Sequence, residues 1–307
     1  MTDPAAPPTI SPAAAMRWQR RPVPATSAWL HEEVARRMEE RLEWIRIMPA
    51  HWVHWHPLAG GIEGHALLRR RYPKARCTVV ENVPAWQAAA AARCTPRWWQ
   101  PARWRPTLAA VQVGTPAAGS AQMVWANMAL HASAEPQALI ARWHDALASD
   151  GFLMFSAFGP DTLSELRAVY AEAGWGPPGC DFTDMHDWGD MLVQAGFAEP
   201  VMDMERMVLT WGSAEALLAE LRSLGANFHP GRFDGLRTPR WRERLLAHLS
   251  RALADPGHGG RLALSFEIVY GHAFKPVPRA AISAESSVSL EQMRGMLRRG
   301  RGQARPG

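Results

Sequence analysis

The apolar positions along this chain repeatedly change period, and each change marks an element. Leu30, Val34, Met38, Leu42 and Ile45 recur at helical spacing among glutamates and arginines, which predicts an amphipathic helix over 30–47. A short Trp/His-rich segment at 52–55 follows, then a turn carrying Gly60-Gly61. The run Cys77-Thr78-Val79-Val80-Glu81 reads as a buried strand ending in an acid, and 123–127 and 152–156 are two more apolar runs of strand length. Helical stretches fall between and after them, at 65–71, 85–93, 136–148 and 162–173.

Further along, a helix is predicted over 185–195, with Asp184 placed as its N-cap and Gly196 as its stop. A strand over 201–209 and a helix over 214–224 follow, then an irregular, helix-containing insertion over 227–260. In the last strand, 262–270, Leu262, Leu264, Phe266, Ile268 and Tyr270 share one face. Short apolar strands alternating with helices imply an α/β fold, a doubly wound and mostly parallel sheet covered on both faces. The long connection before the final strand predicts an antiparallel strand at the sheet edge.

Composition narrows this further. Of 307 residues, 47% are apolar and 21% charged, which excludes an intrinsically disordered chain. No run of 18 or more uncharged apolar residues occurs, so no membrane-spanning helix is expected. Cys77, Cys94 and Cys180 form no close pair and point to a reducing, cytoplasmic setting. The net charge of +5 raises a nucleic-acid partner, but from Pro276 onward six arginines against two glutamates account for most of that excess. The remaining body is nearly neutral, so no nucleic acid is expected. Residues 1–28, rich in Pro, Ala and Ser, read as a flexible lead, 29–275 as the globular unit, and 276–307 as a flexible basic tail.

Sheets of this kind bind ligands beyond the carboxyl ends of their strands, where the strand order reverses. The turn at 56–61, Glu81, and the segments after Asn127 and Ser156 therefore deserve inspection. Glu81 lies about twenty residues beyond Gly60-Gly61, where a carboxylate can accept hydrogen bonds from ribose hydroxyls; an ordinary strand-end glutamate fits the same pattern. No G-x-G-x-G can be written across Trp55-His56-Pro57-Leu58-Ala59-Gly60-Gly61, and side chains there obstruct close approach of a ligand to the backbone. His51, His54, His56 and His65 lack an acidic or thiolate companion and read as structural rather than metal-binding. The tryptophans read first as packing residues, although those from Trp86 to Trp104 could also roof an apolar pocket.

Five stretches carry a resemblance: MVWANMALH (123–131), DGFLMFSAFGPDTLSEL (150–166), DMHDWGDMLVQAGFAEPVMDME (184–205), LRSLGAN (221–227) and FEIVYGHAFKP (266–276). Through them the chain resembles the class I S-adenosylmethionine-dependent methyltransferases, and among these the malonyl-[acyl-carrier protein] O-methyltransferases of biotin synthesis. The resemblance implies a Rossmann-like, mostly parallel seven-stranded sheet with a helical insertion before the last strand. It implies S-adenosylmethionine as cofactor, with Gly60, Gly61, Glu81 and Asn127 on the cofactor side, and a malonyl group on acyl-carrier protein as acceptor. Tyr270, His131 and His272 are the expected acceptor-side residues. The first loop departs from the family, which usually has an Asp and three alternating glycines where this chain keeps at most the final glycine. Two rival expectations rest on that departure and on the reuse of folds: a degenerate methyltransferase-like binding or regulatory protein, and a methyltransferase with another acceptor.

Overall fold

Residues 10–94 and 111–277 are described by the computed structural model. Trp98, Trp99, Trp104 and the basic tail from 278 onward lie outside the described residues. All elements named below belong to one unit that ends at Pro276.

The strands are β1 His51–Trp55, β2 Arg76–Val80, β3 Val111–Val113, β4 Ala121–Ala126, β5 Leu147–Phe158, β6 Ala198–Trp211, β7 Ala254–Asp255 and β8 Arg261–Phe274. They form one sheet in the order β3-β2-β1-β4-β5-β8-β6, with the two-residue β7 paired to β8 outside that path. The contacts among β1 to β5 are parallel, whereas β8 is antiparallel to both β5 and β6. The mostly parallel seven-strand path therefore appears as expected, and the helix Pro239–Ala252 stands in the insertion before the last strand.

The antiparallel strand is one place in from the edge, not on it. β8 is buried along both faces, with Leu264, Phe266 and Ile268 on one side and Val269 and Ala273 on the other. A strand apolar on both faces has to be covered on both faces. β6 instead alternates and exposes Val201, Met204 and Val208, as an edge strand with one solvated face does.

Two core layers flank the sheet. One gathers Trp52, Cys77, Met123, Trp125 and Phe152 under α2 (Trp29–Glu40), which buries Leu30, Val34, Ala35 and Met38 at helical spacing. The other gathers Val53, Trp55, Val124 and Phe155 under the helices Pro136–Ala146 and Met185–Gln194. Five tryptophans, Trp52, Trp55, Trp125, Trp143 and Trp188, are among the largest fully buried side chains, so their first role is packing. Asp184 caps its helix by accepting from the His186 N–H at 2.8 Å, as its position predicts. α2 and the turn that follows it are tied to β6 at the far edge of the sheet, by Arg37 on Glu205 and by Arg41 on Asp203 at 2.7 Å.

From Ile10 on, the lead is more ordered than its composition suggests. Pro12–Gln19 forms helix α1, which begins with Ser11 accepting from the Ala14 N–H and has Pro12 in its first turn. Ile10, Ala14 and Ala15 pack with Cys180 and Phe228, and the Ser11 N–H donates to the Phe228 carbonyl at 2.7 Å. With alanines at its buried positions and only Met16 and Trp18 as large apolar residues, this two-turn helix shows no hydrophobic period in the sequence.

Candidate active site

Strand order reverses between β1 and β4, so the crevice beyond their carboxyl ends is the expected ligand position. The turn after β1 starts at His56, which has φ +52° and ψ +54°. This left-handed conformation is unfavourable for a residue with a Cβ and easy for glycine. A short helical turn α3, Pro57–Gly60, follows, then Gly61 with φ +123° and helix α4, Ile62–Arg71. Glycine is required at position 60, because a Cβ there would lie 2.2 Å from the Asn127 carbonyl oxygen. A Cβ on Gly61 would meet Glu32 Oε2 at 2.9 Å. That carboxylate accepts from the Glu63 and Gly64 N–H groups at the start of α4.

Glu81 follows β2 at the same crevice and its side chain is only 2% exposed. One carboxylate oxygen accepts from His56 Nδ1–H at 2.9 Å and the other from the Leu58 N–H at 3.2 Å. Asn82 Nδ2 lies 3.1 Å from His56 Nε2. Carboxylate on one side and amide donor on the other fix one tautomer, with Nδ1 protonated and Nε2 accepting. Asn127 is fully buried. Its Nδ2 donates to the His31 carbonyl at 2.8 Å and to the Gly60 carbonyl, and its Oδ1 accepts from Ser156 Oγ at 2.6 Å. Gly60 and Glu81 border the smaller of the two cavities described next, whereas Gly61 and Asn127 border neither, and Asn127 is committed to holding the turn.

Two adjoining cavities open here. The smaller, about 380 Å³, is bordered by His56, Gly60, Glu81, Asn82, Val83, Ala129 and Leu139, with α1 along its other side. The larger, about 640 Å³, is lined by Phe158, Leu166, Tyr170, Trp175, Phe182 and Phe266 among others. Trp18, Ala59, Trp86, Met128, Ala132 and Phe228 border both.

His31 and His131 both reach the larger cavity. His31 Nδ1–H donates to the Ala59 carbonyl at 2.7 Å, leaving its buried Nε2 without a partner. His131 Nδ1 accepts from the Phe158 N–H at 3.3 Å, so its Nε2 carries the hydrogen. Burial lowers both imidazoles, His131 to about 3; at neutral pH they offer one bare acceptor and one neutral donor. The cations stand at the rim: Arg21, Arg222, Arg232 and Arg237. Arg237 donates to the Trp175 carbonyl at 2.9 Å and lies over the Phe233 ring at 3.7 Å.

Tyr270 and His272 line neither cavity. β8 runs antiparallel to β5, with Ile268 opposite Phe158 and Phe274 opposite Phe152. Each step beyond Ile268 therefore leads away from the ligand edge. Tyr270 lies beneath the Arg41 guanidinium at 3.8 Å, with its hydroxyl 3.4 Å from Glu205. His272 packs its ring edge-on to Phe274.

Two residues escaped the sequence reading. His31 carries no sequence signal of its own, because it lies in an amphipathic helix whose period marks only the apolar face. Glu267 holds the 159–162 turn: its carboxylate accepts from the Asp161 N–H at 2.7 Å, and its backbone carbonyl accepts from the Gly159 N–H and Thr162 Oγ1. This pairing joins two of the resembling stretches, FGPDTL and FEIVYG, in one contact.

The histidine group divides as a structural reading expects. His54 and His65 stack in the core with their Nδ1 atoms 3.2 Å apart, while His51 bonds to Thr78 and the Ser120 carbonyl. No metal-holding group of three or more His, Cys, Asp or Glu occurs among the described residues.

The crevice can be tested for fit to the nucleoside cofactor that the resemblance implies. A buried carboxylate at the strand end, apolar walls from Val83, Ala129 and Leu139, and a glycine pressed onto the opposite backbone all suit a nucleoside. The His56 ring also stands on that carboxylate.

No protein-family model matches the chain. It is 39% identical over 258 residues to the malonyl-[acyl-carrier protein] O-methyltransferase of Gallionella capsiferriformans, covering 82% of this chain and 86% of the relative. It is also 39% identical over 264 residues to the protein of the same name from Laribacter hongkongensis, covering 82% and 85%. Among solved structures, a candidate methyltransferase from Bacillus halodurans superposes with a TM-score of 0.51 at 14% identity, covering 80% of this chain and all of that one. That structure shares the fold. By its sequence relatives, the chain belongs to the malonyl-[acyl-carrier protein] O-methyltransferase family.

Proposed function

We propose that the protein is an S-adenosylmethionine-dependent enzyme of biotin synthesis that methylates the free carboxylate of a malonyl thioester on acyl-carrier protein. The observation that carries this reading is the pair of adjoining cavities at the sheet's carboxyl edge, one with a buried strand-end carboxylate and one apolar and large enough for an acyl group. Family membership supplies the acceptor, since the relatives are named for it.

When bound, S-adenosylmethionine supplies a sulfonium-activated methyl group for an ester bond to a carboxylate oxygen. A malonyl carboxylate is ionised at pH 7, so no residue has to act as a base. Glu81 would hold the ribose hydroxyls, and Val83, Ala129 and Leu139 would flank the nucleoside. His131 offers a neutral Nε2–H to an acyl oxygen without neutralising the nucleophile, and Phe158, Phe182 and Trp175 keep water from it. The rim arginines suit an acidic carrier. Free, buried Cys77, Cys94 and Cys180 suit a reducing compartment, the cytoplasm. No helix among the described residues is long and apolar enough to cross a membrane.

The test is incubation of the purified chain with S-adenosylmethionine and malonyl-acyl-carrier protein, with mass spectrometry of the carrier. A malonyl group heavier by one methylene supports the reading. An unchanged carrier, together with failure to complement a biotin auxotroph blocked at this step, overturns it. The rival, a methyltransferase-shaped binding protein, draws on the occupied Glu81 carboxylate and requires carrier binding without methyl transfer.

A further inference from the structure

The carboxylate assigned to ribose is already in use. Both its oxygens accept hydrogen bonds from the turn after β1, one from the His56 ring and one from the Leu58 N–H. Glu81 and His56 both border the smaller cavity, so a ligand there meets the carboxylate with the His56 ring already on it. The ring is supported from behind by Asn82. The His56 backbone sits at φ +52°, where glycine would be comfortable and histidine is not.

We infer that His56 is an internal ligand of this site: its imidazole N–H stands on Glu81 in place of a ribose hydroxyl, and a nucleoside binds only when the ring swings out. This rests on the reading of Glu81 as the ribose acceptor given above. It makes His56 a determinant of cofactor affinity, because any nucleoside must replace a hydrogen bond to a carboxylate that the protein already makes. The left-handed backbone favours the same outcome on substitution, since glycine keeps the turn and removes the ring.

The experiment is calorimetric titration of the full chain with S-adenosylhomocysteine, comparing wild type, His56→Gly, and His56→Gly combined with Glu81→Gln. Loss of a competing charged hydrogen bond predicts binding about tenfold to a hundredfold tighter for His56→Gly, and the second substitution should cancel that gain. Equal or weaker binding by His56→Gly than by a wild type that does bind overturns the inference and leaves the methyltransferase reading standing. No binding by any variant at millimolar ligand overturns both. The wild type gives an answer independent of any variant: its ¹⁵N imidazole spectrum should show the His56 Nδ1–H leaving its carboxylate partner as the ligand is added. An unchanged His56 signal at saturation contradicts the swing.

Discussion

Asn127 donates its side-chain amide to the His31 carbonyl at 2.8 Å, and that bond fastens the end of β4 to the helix whose histidine faces the larger cavity. The same amide reaches the Gly60 carbonyl, and the amide oxygen takes the Ser156 hydroxyl. One buried side chain thus fixes the spacing of three elements around the crevice. Asn127→Ala should leave several buried polar atoms unpaired, each costing about 1–3 kcal/mol. A loss of about 3 kcal/mol or more in urea unfolding is expected, and a loss below about 1 kcal/mol would show that the clamp is dispensable.

Gly60→Ala tests the close approach from the other side. A Cβ at 2.2 Å from the Asn127 carbonyl oxygen cannot be relieved by rotating a flexible side chain, because the obstacle is backbone. The expected cost is about 3 kcal/mol, the upper part of the overpacking range. Gly174→Ala is a useful contrast: its φ of +65° strains an added Cβ, but no atom lies within 4 Å. It should cost about 1 kcal/mol, and thermal unfolding of the two variants should separate them clearly.

Acid should weaken the fold through the buried His54–His65 pair. Burial lowers His65 to about 4 and holds His54 well below its ordinary value. Above about pH 6.5 these rings are neutral whether the chain is folded or not, so they contribute no slope. As pH falls below that point, the unfolded chain takes up protons that the folded one refuses, and stability declines until His65 itself titrates near 4. Each ring contributes up to about 1.4 kcal/mol per pH unit in that window. Denaturation midpoints between pH 7.5 and 5 should drop accordingly, and His65→Gln should flatten the curve.

Tyr270→Phe should leave methyl transfer unchanged. The hydroxyl is 3.4 Å from Glu205 and remote from both cavities, and the aromatic ring beneath Arg41 is retained. His131→Ala is the informative comparison, because this ring lines the larger cavity. It should lower kcat about tenfold or more, the scale of losing one oriented donor. Steady-state rates with malonyl-acyl-carrier protein decide the matter; a large loss in Tyr270→Phe would return the last strand to the site.

Charge reversal at the rim should act on the carrier rather than on the chemistry. Arg222 and Arg237 flank the larger cavity, so Arg222→Glu and Arg237→Glu should raise KM for the acidic carrier several-fold. The effect should shrink at high salt, where screening removes steering. Arg237→Glu also breaks the bond to the Trp175 carbonyl, so Arg222→Glu is the cleaner measurement. A KM insensitive to both substitution and salt would place the carrier elsewhere.

Most of the sheet was legible because its strands carry their own signature. Cys77 to Val80, Met123 to Ala126 and Phe152 to Ser156 are apolar on both faces, as parallel interior strands must be. β3 was not legible, being three residues long with no burial pattern of its own. Helix α1 was missed because alanines fold into helices by propensity, without a large apolar stripe. At the site, the sequence marks the positions of Glu81, at the end of a buried strand, and Gly60, at the close of the first turn. Tyr270 and His272 lie away from the two cavities because strand direction, which a linear pattern does not record, decides which end of β8 meets the ligand edge.

What the chain determined by itself is therefore the class of fold, the strand-end acid, and the blocks that mark its family. These depend on local period and on residue type, which neighbours in sequence suffice to express. The tertiary structure alone decided that β8 lies inside the sheet, that Asn127 is a clamp, that His31 joins His131 at the larger cavity, and that His56 lies on Glu81. Each of these is a contact between residues 25 or more positions apart or a choice of strand direction, and no local periodicity encodes either one.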